Sequence, residues 1–208
     1  MNKSKSAVMA VWLVLVSGLG GTLPTRATLF TATLQDNTDC VMSITKDQAG
    51  VTPWGGTLAF GAVDGDKLVG TTWQIAKGTV VGATAAENFF VQLKNCNAWD
   101  TVGGQTPAVR VAGTTLAGNT KLFRTSGSGS TSTGFGVALY DTQPPVLLDG
   151  TKPLTNGRYL NLGASGDAVS GNTFKAMSAG VSCGAACTAA DLSTGTLSAS
   201  VTFTFEYH

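Results

Sequence analysis

The sequence has 208 residues, 43% of them hydrophobic and only 12% charged, about half the usual charged share, with 27 Gly. This excludes a charged disordered tail, a coiled coil and a long charged-face helical bundle, and the length fits one domain with or without a leader. Thirteen basic residues, scattered along the chain, stand against twelve acidic ones for a net charge of +1, and the single His is His208. Nucleic acid is therefore not an expected partner, and Ser-His-Asp catalysis, Cys-His catalysis and His-based metal sites have no basis.

In chain order, Lys3 and Lys5 open a basic start, Ala7 to Gly21 form an apolar run of signal-peptide length, and Pro24 precedes a small-residue site ending at Ala27. A signal peptide is expected over residues 1–27, with earlier cleavage open at Gly18, Gly20 and Gly21. A membrane-spanning helix would need roughly 20 apolar residues, more than this run offers. Removing it leaves ten basic and twelve acidic residues, a net charge of −2, in a single exported domain over 28–208. The first alternating segment follows at once, with Thr28, Phe30, Ala32 and Leu34 on one face.

Short apolar alternations then recur at Cys40, Met42 and Ile44; Leu58 and Phe60; Phe89, Val91 and Leu93; Val109 and Val111; Phe135, Val137 and Leu139; and Leu160 and Leu162. Gly, Pro, Asn, Asp, Ser or Thr clusters bound them all. Ser126 to Thr133 is a run of Ser, Gly and Thr expected to form a flexible surface loop. The strongest signal is the stretch from Thr196 to His208. Leu197, Ala199, Val201, Phe203, Phe205 and Tyr207 alternate there with Thr196, Ser198, Ser200, Thr202, Thr204, Glu206 and His208. That is a half-buried strand whose register is strongly specified, because a one-residue slip would bury Glu206 and expose two Phe. Its apolar outer edge needs cover, since an open edge of this kind aggregates. No exported segment shows helical periodicity, and about seven or eight short strands predict an all-β antiparallel sandwich or barrel.

Four Cys in an oxidising compartment are expected to pair, and three pairings are formally open. The pairing expected is Cys40–Cys96 with Cys183–Cys187, the second closing the small loop Cys183-Gly-Ala-Ala-Cys187. A metal at that spacing would lack further ligands, so neither a metal nor any other cofactor is expected.

Several features together resemble the pilin-type subunits of bacterial chaperone–usher fimbriae. They are the leader, the early Cys40, a strand ending in Val91-Gln92-Leu93-Lys94-Asn95-Cys96, a middle strand Gly136-Val137-Ala138-Leu139-Tyr140-Asp141, Gly195, and the alternating strand with Tyr207 near its end. The resemblance covers nearly the whole exported chain. It implies an immunoglobulin-like antiparallel sandwich that lacks its final strand and is completed by donor-strand complementation, with the early disulfide joining the first two strands. It also implies a groove beside Leu197, Ala199, Val201, Phe203, Phe205, Tyr207 and His208. A periplasmic chaperone fills the groove first, gripping the C-terminal carboxylate of His208, and the arm of a neighbouring subunit replaces it at the outer-membrane usher. The function implied is a structural, non-enzymatic subunit of a surface fimbria serving adhesion.

The arm is where the sequence departs from that pattern. Only twelve residues separate Ala27 from Cys40, so Thr28, Phe30, Ala32 and Leu34, within 28–37, serve either as donor arm or as first strand. A terminal adhesin that accepts a strand without donating one, and binds a host glycan or protein receptor through loops such as Gly118 to Thr133, is the alternative. Trp54, Trp73 and Trp99 could line a sugar surface, but a core or loop-anchoring role is favoured. The acids Asp36, Asp39, Asp64, Asp66 and Asp141 read as turn residues before they read as calcium ligands or a glycosidase pair.

Overall fold

The computed structural model describes residues 28–35, 41–50, 57–78, 86–96, 104–169 and 171–208. The leader over 1–27 lies outside them. Their strands are β1 (Thr28–Gln35), β2 (Val41–Thr45), β3 (Thr57–Gly61), β4 (Val63–Asp64), β5 (Lys77–Gly78), β6 (Ala86–Cys96), β7 (Pro107–Gly113), β8 (Thr115–Leu116), β9 (Asn119–Phe123), β10 (Gly136–Tyr140), β11 (Tyr159–Asn161), β12 (Gly171–Ser182) and β13 (Leu197–Tyr207). Helical structure among the described residues is limited to two 3-10 turns, Asp66–Leu68 and Gly127–Gly129. The dense Gly and β-branched content works against longer helices. None of these helices is long and apolar enough to cross a membrane.

Two sheets face each other across one core, the sandwich expected from the alternating segments. One runs β11-β7-β13-β1-β3 and the other β2-β6-β12-β10-β9-β8, with β4 and β5 as a separate ribbon. Inward side chains of both sheets meet in a core that includes Phe30, Ile44, Leu58, Phe89, Val109, Val137, Met177, Val201 and Phe203. Each large apolar side chain buried there contributes about 1.5–3 kcal/mol relative to exposure.

The pairing is antiparallel throughout the strands except between β1 and β13, which run parallel. Parallel pairing joins strands that no tight hairpin connects, and here the two strands come from opposite ends of the described chain.

β10 departs from simple alternation, since all five of its residues are buried. Val137 and Leu139 face the main core, whereas Ala138 and Tyr140 point to the other side of the sheet. There Trp73, Ile75 and Leu122 cover them in a second apolar cluster. Trp73 thus anchors a loop over the sheet, and its burial rules out a sugar-stacking role for it. Trp54 and Trp99 lie outside the described residues.

Cys183 and Cys187 are disulfide-bonded with Cα atoms 5.7 Å apart, as expected. The closed loop packs on the cover segment, where Trp73 N–H donates to Gly184 O (2.7 Å) and Gly70 N–H to Cys187 O (2.9 Å). Cys96 is also disulfide-bonded. Cys40, its expected partner, lies outside the described residues.

Candidate functional site

β13 has the alternation expected of it. Leu197, Ala199, Val201, Phe203 and Phe205 are buried, while the intervening Ser and Thr face outward. Tyr207 is half-buried, its ring 5.4 Å from that of Phe205 and its hydroxyl accepting from Val169 N–H at 3.3 Å. His208 is exposed beyond the strand.

Both edges of this strand are occupied. On one side Val201 to Tyr207 pair with β7. The earlier residues on that side meet the Ser/Gly run: Thr125 N–H donates to Ser198 O (2.7 Å), Ser198 N–H to Ser130 Oγ (3.0 Å), and Thr131 N–H to Thr196 O (3.0 Å). The run from Ser126 to Thr133 is therefore pinned rather than a free loop. Arg124 completes the pinning by donating to Ser130 O, Ser132 O and Phe135 O. Burial lowers its pKa, and its planar fork reaches several carbonyls at once, which a Lys could not do. An ideal Cβ on Gly195 would lie 2.5 Å from Ser132 N, so the close approach of run and strand requires glycine there. Nothing in the composition of the run signalled this; the one local cue was a lone Arg between Phe123 and a stretch of small residues.

On the other side lies β1. Thr28 to Gln35 pair in register with Leu197 to Thr204, placing Phe30 beside Ala199 and Ala32 beside Val201. β3 closes the far edge of β1, with Phe30 opposite Leu58. Phe30 is wholly buried, its ring 6.4 Å from Phe89, which lies 6.1 Å from Phe203. The segment expected to be either donor arm or first strand pairs here within its own chain. Both edges of β13 are thus paired within the chain, with β1 in the place beside it that a last strand would take. Leu34 stands opposite Phe203 in the register. Residues 36 and 37 lie outside the described residues.

The remaining candidates do not converge. Asp64 ends β4, Asp66 starts a 3-10 turn, and Asp141 follows β10. Among the described residues no group of three or more His, Cys, Asp or Glu could hold a metal. Asp36 and Asp39 lie outside them. The segment from Gly118 to Thr133 contains the tip of the β8–β9 hairpin, β9 and the pinned run.

No family model and no curated protein matches the sequence. Among solved structures, a chain from a chaperone–usher pilus, described in connection with rod uncoiling, is similar over 98% of this chain and 100% of its own length, at 17% identity and a TM-score of 0.49. A Burkholderia pseudomallei antigen and type I fimbria protein is similar over 81% of this chain and 88% of its own, at 18% identity and a TM-score of 0.39.

Proposed function

We propose that the chain is a structural subunit of a bacterial surface fimbria, exported through the periplasm and assembled by chaperone–usher strand exchange, with adhesion as the fibre's purpose. The observation that carries this reading is the slot between β13 and β3. One side of it is lined by the strict alternation of β13, and it is filled by the eight-residue β1, held by backbone pairing and by the buried Phe30 and Ala32. Parallel pairing is slightly less stable per residue than antiparallel pairing. A strand entering antiparallel to β13 with apolar side chains at alternate positions would compete for the slot and release β1. In this reading the entering strand comes first from a periplasmic chaperone and then, at the outer-membrane usher, from a neighbouring copy. The released β1 fills the slot of the next copy. No step requires catalysis or a cofactor.

The pairing of β1 with β3 as well as β13 favours a second reading, a terminal subunit that keeps its own first strand and accepts contacts from one neighbour only. The two separate on an unheated SDS gel of the protein expressed with a fimbrial chaperone and usher. A polymerising subunit gives a ladder of multimers that disappears in Phe30→Ser. A chaperone complex without a ladder indicates the terminal subunit. Absence of both refutes the fimbrial reading.

A further inference from the structure

β13 is flanked unevenly along its length. Its ladder with β7 covers Val201 to Tyr207, and its ladder with β1 covers Leu197 to Thr204. From Leu197 to Ser200 the described residues therefore place a strand on one edge only, and that strand is the one that leaves if strands exchange. Backbone groups along a strand alternate between its two edges. Leu197 and Ala199 direct theirs toward β1, whereas Thr196 and Ser198 direct theirs the other way, toward the run from Ser126 to Thr133.

The run stands in for a strand with a mixture of main-chain and side-chain bonds. Thr196 N–H donates to Thr131 Oγ1 at 2.9 Å, and Thr196 O accepts from the amides of Thr131 and Ser132, each at 3.0 Å. The Ser130 hydroxyl accepts from Ser198 N–H and donates to Ser198 O, both at 3.0 Å. Arg124 fixes the shape of the run from inside. Its guanidinium donates to Ser130 O, Ser132 O and Phe135 O, and so ties the middle of the run to the residue beyond its far end. The run also connects β9 to β10, which belong to the sheet opposite β13, so these bonds tie one sheet to the other. None of these groups lies on β1 or β3, and the departure of β1 removes none of the bonds.

We infer that the run from Ser126 to Thr133 is a brace, latched by Arg124, that keeps the first part of β13 extended and in register while β1 is out of its slot. Without it, Leu197 to Ser200 would fray once β1 left, and an incoming strand would have to order those residues again at the cost of their conformational entropy. With it, Leu197 and Ala199 stay on the core face, where they are buried, and the slot keeps one finished wall. Arg124 is a positioning residue, acting on β13 only through the run. The use of the brace in assembly rests on the strand-exchange reading, whereas its hold on β13 does not.

Residue-resolved amide hydrogen exchange, followed by NMR on the full exported chain, tests this. Phe30→Ser, with Phe30→Ala as a milder version, loosens β1. In these variants the amides of Leu197 and Ala199 should exchange about tenfold faster or more, while those of Thr196 and Ser198 stay within about threefold of the parent. Arg124→Gln should give the opposite pattern, with Thr196 and Ser198 about tenfold faster or more and Leu197 and Ala199 little changed. Arg124→Lys should not restore them, because a single ammonium cannot reach all three carbonyls. A covalent latch should. An ideal Cβ on Gly129 lies 3.6 Å from Ser198 Cβ, within the disulfide range of about 3.5–4.5 Å, so Gly129→Cys with Ser198→Cys should return slow exchange at Thr196 and Cys-substituted 198 in the Arg124→Gln background. Thr196 and Ser198 exchanging as fast as Leu197 in both Phe30 variants would overturn the brace. Unchanged exchange at Thr196 and Ser198 in Arg124→Gln would overturn the latch, and equal acceleration throughout β12 would make Arg124 a support of the whole fold and overturn its local role. The fimbrial reading is judged separately by the gel: a ladder without a brace refutes this inference alone, and a brace without a ladder or chaperone complex refutes that reading alone.

Discussion

Phe30 measures how much the sandwich depends on β1. It is the largest side chain that β1 places in the core, wholly buried between the sheets and facing Phe89. Truncation to Ala leaves a cavity that the surrounding β13 and β3 backbones cannot readily close, because both are fixed by their own ladders. Phe→Ala in such a setting costs about 3–5 kcal/mol. That is a large share of a total stability of about 5–15 kcal/mol. For a domain of this size each kcal/mol moves the melting temperature by about 2–4 °C, so Phe30→Ala should melt about 6–20 °C lower than the parent. Phe174→Ala is the control, since Phe174 is 42% exposed on the outer face. It should cost far less. The assay is thermal unfolding followed by circular dichroism with the disulfides intact. A chain lacking residues 28–35 should be less stable still, and a peptide of those eight residues should restore it. At a peptide concentration one hundred times its dissociation constant the gain is about 2.7 kcal/mol. The same peptide with Phe30→Ser should restore little. Phe30→Ala melting within about 3 °C of the parent, or equal rescue by both peptides, would refute the account of β1 as the strand that completes the core.

Phe203→Ser on β13 should lose at least about 3 kcal/mol, because it removes a wholly buried ring beside Phe89 and leaves a hydroxyl in apolar surroundings. Thr202→Ser on the outer face should stay within about 0.5 kcal/mol, and denaturant titration of both variants checks the register. On the loop-entropy model, removing Cys183 and Cys187 together should cost about 2 kcal/mol, against about 4 kcal/mol for Cys40 and Cys96 together if they form the expected pair. Equal losses in the two double variants would contradict that ordering. Tyr140 is buried with no partner for its hydroxyl among the described residues, and burial pushes its pKa up to about 12. Its folded pKa lies above the unfolded value, so above about pH 10 the unfolded chain holds fewer protons and stability falls as pH rises toward 12. Tyr159, raised by its hydrogen bond with Glu206, acts in the same direction. Tyr140→Phe should flatten that decline and cost little or nothing at pH 7, read from melting temperatures at pH 7 and pH 10.5; an unchanged slope would refute the assignment.

Much of the fold was legible because strand alternation is a local property. The face each residue of β13 presents follows from a period of two, and the observed burial of Leu197, Ala199, Val201, Phe203 and Phe205 repeats it. The small Cys183–Cys187 loop was equally local. The pinning of Ser126 to Thr133 was not, because it depends on Arg124 and on residues about 65 positions away in the chain. Nor was the complete burial of β10, whose second face is covered by Trp73 and Ile75 from a distant loop.

The clearest division falls on β1. Its sequence determines that Phe30 and Ala32 share an apolar face and that this face needs a core. It does not determine whose core, beside which strand, or in which direction. Backbone hydrogen bonds are nearly independent of side-chain identity, so β1 could add to any open edge that offers an apolar slot. Only the tertiary structure decides that the slot is the one between this chain's own β13 and β3, with β1 parallel to β13.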